Sequence, residues 1–123
     1  MSNPLLIRTA FRWRISRELA EEVLARDVRC IYCSRDFDLA GPRASVPSWE
    51  HIVNDLSIVT ADNIALCCVS CNASKGRKAL EVWLDSNYCK ERGITRSSIA
   101  SIAVQALRAR QAPDLDAGAG GEA

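Results

Sequence analysis

The chain has 123 residues, 48% of them hydrophobic and 25% charged, which is typical of one globular domain with a modest core. Its 16 lysines and arginines nearly balance its 15 aspartates and glutamates, so the total charge does not indicate a polyanionic partner. The N-terminal apolar run, Leu5 to Ile7, is too short for a signal peptide or a membrane span. We therefore expect a cytoplasmic protein with reduced thiols.

The charges are distributed unevenly along the chain. Three of the 15 acids, Asp114, Asp116 and Glu122, lie in the segment 113–123, whose Gly/Ala-rich composition predicts a disordered tail. Residues 1–112 therefore carry 16 bases against 12 acids. This mild excess is compatible with a nucleic-acid partner but is weak evidence for one.

The first predicted elements are one helix and three short strands. Ser16 is a candidate N-cap of an amphipathic helix over residues 16–26, because apolar residues recur there at four-residue spacing. Alternating apolar and acidic residues predict a strand over residues 36–39. Residues 49–53 predict a second strand and residues 64–66 a third. Helices combined with short strands predict a small α+β fold.

Two helices are predicted in the C-terminal part of the chain. The first begins at Ala79 and is closed by Gly93. The second covers residues 95–111, with Thr95 or Ser97 as its N-cap. Its apolar face consists of Ile99, Ile102, Ala103 and Leu107. We expect this face to pack against the rest of the domain, and a dimer interface is the alternative.

Two C-x-x-C pairs stand out among the six cysteines: Cys30 with Cys33, and Cys68 with Cys71. This spacing lets both sulfurs of a pair face one metal ion from a tight turn, so four thiolates are expected to form a structural zinc site. Cys67 is an alternative to Cys68, with C-x3-C spacing. The repeat of the first pair's spacing favours Cys68 and leaves Cys67 and Cys89 as buried thiols.

Several polar residues follow the first cysteine pair in a characteristic order. The first two are an adjacent acid and histidine, Glu50 and His51, and the third is Asn63. Asn72 and Lys75 follow the last cysteine of the second pair. With the two C-x-x-C pairs, this order over residues 28–78 resembles the motif of the HNH endonuclease family. The resemblance implies a ββα-metal core, in which two strands and a helix hold one catalytic cation. It implies a single nuclease domain over residues 1–112, with one helix before the core and two after it.

The resemblance also implies catalytic roles. His51 is the general base, and its unperturbed pKa of about 6.5 allows it to accept a proton from water. Asn63 ties the loop that carries His51 to the second strand. Glu50 and the carbonyl oxygen of Asn72 are hard oxygen donors, suited to a catalytic Mg²⁺ or Mn²⁺.

Basic residues after Asn72 are expected to contact the substrate. Lys75 lies three residues after Asn72 on the same helix face, and Arg77 and Lys78 extend the basic rim. The implied substrate is DNA, in double-stranded form, and no membrane partner is expected. The sequence leaves open whether a protein partner supplies specificity, and which oligomeric state is active. The loop after His51 departs from the family pattern, because it lacks both a Pro and a Gly-Gly turn.

Alternative interpretations remain at the level of the sequence. The main one is a catalytically inactive zinc module that binds nucleic acid or protein on an HNH scaffold. Another is a redox or metal-storage protein that uses the C-x-x-C pairs, although this leaves Glu50, His51 and Asn72 unexplained. The three tryptophans are candidate core residues, but Trp13 lies between two arginines and is also a candidate for stacking on nucleic acid.

Overall fold

A computed structural model describes residues 4–109, in which six α-helices surround one two-stranded antiparallel sheet. The helices are α1 (Pro4–Ala10), α2 (Arg17–Arg26), α3 (Val69–Lys75), α4 (Leu80–Trp83), α5 (Asn87–Arg92) and α6 (residues 101–109). The strands are β1 (Pro47–His51) and β2 (Ile64–Cys68). The predicted α+β fold class is confirmed. The segment 113–123, predicted to be disordered, lies outside the described residues.

The centre of the fold is the unit formed by β1, β2 and α3. The strands pair with Pro47 opposite Cys68 and His51 opposite Ile64. Helix α3 follows β2 without a loop, and the Cys68 sulfur accepts a hydrogen bond from the Cys71 backbone N–H at its start. This direct turn folds α3 back over β1, so the end of β1 and one side of α3 meet.

The two faces of β2 belong to two hydrophobic clusters. Ile64 and Leu66 pack with α1, α2 and Trp49, whereas Ala65 and Cys67 face the cluster that contains the C-terminal helices. All five residues of β2 are buried. A strand that is buried on both faces is expected to be apolar at every position, as β2 is. The Trp49 indole N–H donates to the Leu6 carbonyl at 2.9 Å and so fixes α1 against β1.

Helix α2 begins and ends with specific polar contacts. The Ser16 hydroxyl accepts a hydrogen bond from the Leu19 N–H at 3.1 Å, which confirms the predicted N-cap. At the other end, Arg26 donates two hydrogen bonds to the Asp27 carboxylate at 2.7 and 2.8 Å. Asp27 also accepts from the Leu66 N–H at 3.1 Å. The pair therefore joins the end of α2 to β2.

The prediction of a strand over residues 36–39 is wrong. Only an isolated bridge between Arg29 and Asp36 forms there. The Asp38 carboxylate instead accepts a hydrogen bond from the Ala40 N–H in a turn, and Phe37 packs against both hydrophobic clusters. The apolar and acidic residues therefore alternate in a loop, which Phe37 anchors to the hydrophobic clusters. The other two strands exist, but β1 ends at His51 and β2 continues to Cys68.

The predicted C-terminal helices begin or divide at other residues than expected. The segment after Ala79 is interrupted, because the Ser86 hydroxyl accepts from the Cys89 N–H and starts a separate helix, α5. Gly93 ends that helix with a φ of 68°, as predicted. The prediction of Thr95 or Ser97 as the next N-cap is wrong: Thr95 organises a turn, and α6 begins at residue 101.

Helix α1 had no sequence prediction, although Pro4 is favourable at a first helical position. Within residues 4–109, every helix is too short or too polar to cross a bilayer.

Candidate functional site

Four cysteine sulfurs converge at the start of α3. The Sγ atoms of this group, Cys30, Cys33, Cys68 and Cys71, all lie within 4.8 Å of one another. The sulfurs of Cys33 and Cys68 are 3.9 Å apart, far longer than the disulfide bond length of about 2.05 Å. Four sulfurs around zinc at about 2.3 Å would be about 3.8 Å apart. The group is therefore positioned to bind a metal ion.

The two cysteine pairs sit in equivalent turns. In the first, the Cys33 N–H donates to the Cys30 sulfur at 3.5 Å, and a positive φ of 66° at Ser34 closes the turn. In the second, the Cys71 N–H donates to the Cys68 sulfur at 3.3 Å. The choice of Cys68 over Cys67 is confirmed, because Cys67 is buried outside the group.

The close approach of the four thiols makes their protonation interdependent. Hydrogen bonds with the other three cysteines, that with Cys30 most of all, lower the pKa of Cys33. The corresponding hydrogen bonds of Cys71, again led by that with Cys30, raise the pKa of Cys71. The pKa of Cys68 is lowered to about 7, mainly through its hydrogen bond with Cys30. The Tyr88 hydroxyl adds a hydrogen bond to the Cys71 sulfur at 3.4 Å. A cation at the centre would stabilise all four sulfurs as thiolates.

A second polar cluster lies at the end of β1, where Glu50 is buried. Glu50 Oε2 accepts a hydrogen bond from the Tyr32 hydroxyl at 2.6 Å and pairs with Lys75 Nζ at 3.0 Å. Lys75 Nζ also lies 3.5 Å from the His51 carbonyl oxygen. Burial raises the pKa of Glu50, while the Lys75 charge opposes that rise. The other carboxylate oxygen, Oε1, accepts no hydrogen bond from residues 4–109.

The prediction that Lys75 belongs to an exposed basic rim is wrong. Its side chain is 1% exposed and points inward from the same side of α3 as Cys71, one turn earlier. An ammonium group at this depth needs a negative partner, and Glu50 provides it. Arg77 and Lys78 are exposed, as expected for residues beyond the end of α3.

His51 is nearly enclosed at the end of β1, with 8% of its surface exposed. Its Nε2 is buried without a hydrogen-bond partner among the described residues. The Trp13 ring meets the imidazole edge to face, with 5.8 Å between centroids. Burial, followed by the Lys75 charge, lowers the pKa of His51. Both effects favour the neutral imidazole.

Asn63 holds both ends of the loop that follows His51. Its Oδ1 accepts from the Val53 N–H at 2.7 Å, and its Nδ2 donates to the carbonyls of Val53 and Ile58 at 3.2 and 3.0 Å. A further backbone hydrogen bond joins the Ile52 N–H to the Asn63 carbonyl at 3.0 Å. The side chain therefore ties the loop to the start of β2.

Asn72 lies on the first turns of α3 and faces β1. Its Nδ2 donates to the Ser48 hydroxyl at 3.0 Å and to the Trp49 carbonyl at 3.1 Å. Its Oδ1 accepts no hydrogen bond from the described part of the chain. An amide oxygen and a carboxylate oxygen are both of the hard donor type that Mg²⁺ or Mn²⁺ prefers.

Sequence reasoning missed two contacts of this site, although it had named Trp13 as a candidate for stacking on nucleic acid. Tyr32 lies between the cysteines of the first pair, yet its hydroxyl points to Glu50. Trp13 comes from the N-terminal segment and covers His51. Neither partnership has a local sequence signal, because both depend on elements that are distant along the chain.

The fold and the site together define a small α+β protein with four cysteines positioned to hold a metal ion, beside a buried Glu–Lys–Tyr cluster. Comparisons of the chain with protein-family models, with curated proteins and with solved structures gave no match.

Proposed function

We propose that the protein is an HNH-type endonuclease that hydrolyses DNA phosphodiester bonds with one divalent cation. The observation that carries the proposal is that Glu50, His51 and Asn72 all belong to the unit of β1, β2 and α3, in which Asn72 donates hydrogen bonds to β1. These residues share one motif order in the sequence, and their elements also share one corner of the fold. Structural packing alone does not require an acid, a histidine and an amide at this corner.

We assign the metal of the four-cysteine group as zinc in a purely structural role. Four cysteines in two C-x-x-C turns are a common zinc ligand set, and no open ligand position remains for catalysis. Its binding would contribute folding free energy directly, as in other small zinc domains. The site would fix the turn from which Asn72 enters α3.

His51 is the general base of the proposed reaction. Its neutral imidazole accepts a proton from the attacking water at a ring nitrogen. The Asn63 side chain forms two hydrogen bonds with the backbone of Val53, two residues after His51. These bonds limit movement of the imidazole. Arg77 and Lys78 are exposed next to α3 and supply positive charge for neighbouring phosphates.

Glu50 and Asn72 would hold the catalytic cation through Oε1 and Oδ1. A bound Mg²⁺ or Mn²⁺ supplies charge stabilisation at the phosphoryl and leaving oxygens. The Lys75 charge favours the ionised form of Glu50 in its buried position and occupies Oε2. Tyr32 fixes the same oxygen from the other side, so Oε1 is the atom available to a cation.

A plasmid-nicking assay with Mg²⁺ or Mn²⁺ tests the proposal. His51 is the only histidine, so His51→Ala removes the proposed base without leaving a substitute. We expect it to lower the cleavage rate about 10²- to 10⁴-fold while zinc content and circular dichroism are preserved. Asp85→Asn is the matched control, because Asp85 is an exposed acid between α4 and α5. Equal rates for wild type and His51→Ala would rule out the assigned base.

The second candidate function is a non-catalytic zinc module that binds nucleic acid. It is favoured by the enclosure of His51 and by the two partners that already occupy Glu50 Oε2. This candidate predicts DNA binding with no strand cleavage at any Mg²⁺ or Mn²⁺ concentration. Metal-dependent nicking that is lost in His51→Ala rejects it.

A further inference from the structure

Trp13 differs from the other tryptophans of the chain in its exposure. It is 42% exposed, whereas Trp49 is 7% and Trp83 is 0% exposed. Its ring nevertheless has a defined position, because it contacts the His51 imidazole at 5.8 Å between centroids. An aromatic surface is therefore presented to solvent directly beside the proposed general base.

The segment that carries Trp13 is anchored at both ends. It forms a short 3-10 helix, Phe11–Trp13, between the buried residues Ala10 and Ile15, and the Ile15 N–H donates to the Ala10 carbonyl at 3.0 Å. Arg14 closes the turn in the left-handed region, at φ 61°. This conformation is uncommon for a residue other than glycine. The segment is therefore a fixed projection of the surface.

The charges of this projection are positive and unpaired. Arg12 and Arg14 flank Trp13, both are exposed, and neither forms an ion pair within residues 4–109. Exposed aromatic rings next to free guanidinium groups are the combination that binds single-stranded nucleic acid, through base stacking and phosphate contacts. A protein partner with an acidic surface would match the charges but would leave the exposed ring next to His51 unexplained.

We propose that Arg12, Trp13 and Arg14 form a binding platform for an unpaired DNA base and its flanking phosphates. This inference rests on the proposed function and replaces the fully double-stranded substrate implied by the family resemblance with DNA that contains a single-stranded segment. Bases within a duplex are already stacked on one another, so an unstacked base must be presented to Trp13. The platform therefore selects DNA with a single-stranded segment next to the scissile phosphate.

The binding test uses the full zinc-loaded chain without Mg²⁺ or Mn²⁺, so that binding is separated from cleavage. Fluorescence anisotropy of a short labelled single strand, and of the matching duplex, gives the affinities. We expect Trp13→Ala to weaken single-strand binding about 5- to 150-fold. Trp13→Phe, which keeps a stacking ring, loses less. Arg14→Asn tolerates the left-handed conformation and is expected to lower the salt dependence by about 0.7 in log–log slope.

Phe11→Ala is the matched control. Phe11 belongs to the same 3-10 helix and is 62% exposed, but it lines a groove against α2 together with Arg17 and Glu21. It should bind the single strand as wild type does. Unchanged binding by Trp13→Ala, an equal loss in Phe11→Ala, or a preference for the intact duplex would each overturn the platform.

The outcomes also separate this inference from the nuclease proposal. Trp13-dependent binding of the single strand without metal-dependent cleavage retains the platform and rejects the nuclease. Cleavage that requires His51, combined with normal binding by Trp13→Ala, retains the nuclease and rejects the platform. Thermal unfolding of each variant, followed by circular dichroism, verifies that the exposed substitutions leave the fold intact.

Discussion

Lys75 and Glu50 form a buried ion pair that joins α3 to the end of β1, with 3.0 Å between Nζ and Oε2. Their side chains are 1% and 6% exposed, so both charges have lost nearly all their hydration. The Tyr32 hydroxyl completes the arrangement at 2.6 Å from the same carboxylate oxygen. Mutual attraction and hydrogen bonding must offset the desolvation of both groups.

Removing one member of this pair should be far more harmful than removing both. Lys75→Met leaves a buried carboxylate without its cation, and we expect the free energy of unfolding to fall by about 3–5 kcal/mol. Glu50→Gln alone should be destabilising for the converse reason. The double variant Glu50→Gln/Lys75→Met should recover most of the loss in urea unfolding. Additive losses in the double variant would show that the two side chains do not interact.

Tyr32→Phe should isolate the contribution of the hydroxyl. The ring packs edge to face against Trp83, with 4.9 Å between centroids, and phenylalanine retains this contact. Loss of a hydrogen bond to a charged group is expected to lower the unfolding free energy by about 1.5–3 kcal/mol. The measurement is chemical denaturation at neutral pH. Tyr88→Phe is the comparison, because it removes a hydroxyl that hydrogen-bonds to the Cys71 sulfur. Wild-type stability of Tyr32→Phe would contradict the hydrogen bond to Glu50.

Asn63 should be required for an ordered loop after His51. Asn63→Ala removes three hydrogen bonds, so about 2–3 kcal/mol of stability should be lost. Asn63→Asp should be at least as destabilising, since a carboxylate cannot donate to the carbonyls of Val53 and Ile58. Hydrogen exchange at the Val53 amide reports the local effect. Wild-type protection of that amide in both variants would be inconsistent with the observed hydrogen bonds.

Metal removal should unfold the domain. Structural zinc sites contribute on the order of 10 kcal/mol in small domains, which is comparable with the whole stability of such a fold. We expect one zinc per chain by elemental analysis, and loss of helical circular dichroism with a zinc-selective chelator.

The cysteines provide matched variants for this experiment. Cys71→Ser should lose the metal, whereas Cys67→Ala and Cys89→Ala should retain it, because both thiols are buried outside the four-sulfur group. Retention of one zinc per chain by Cys71→Ser would contradict the assignment. Omission of Mg²⁺ should leave the circular dichroism unchanged and affect only cleavage.

Local signals predicted several features of the fold correctly. Ser16 caps α2 and Gly93 ends α5, since both depend on hydrogen bonds or backbone conformations within a few residues. The repeated C-x-x-C spacing identified Cys68 instead of Cys67, because the turn geometry is itself local. The wrong predictions also came from local patterns. The alternation of apolar and acidic residues predicted a strand around Phe37, which instead anchors a loop to the core. Helix-forming residues on both sides of Ser86 predicted one continuous helix where a second helix begins.

The sequence by itself determined which four cysteines can hold a metal ion, because the C-x-x-C spacing fixes the geometry of each turn locally. The roles assigned to His51, Asn72 and the cation remain predictions. Only the tertiary structure decided that Lys75 is an internal partner of Glu50, and that the Trp13 ring contacts His51 edge to face. These contacts join segments far apart in sequence. Whether a charged or aromatic side chain faces water depends on which elements pack against it, and no local pattern contains that information.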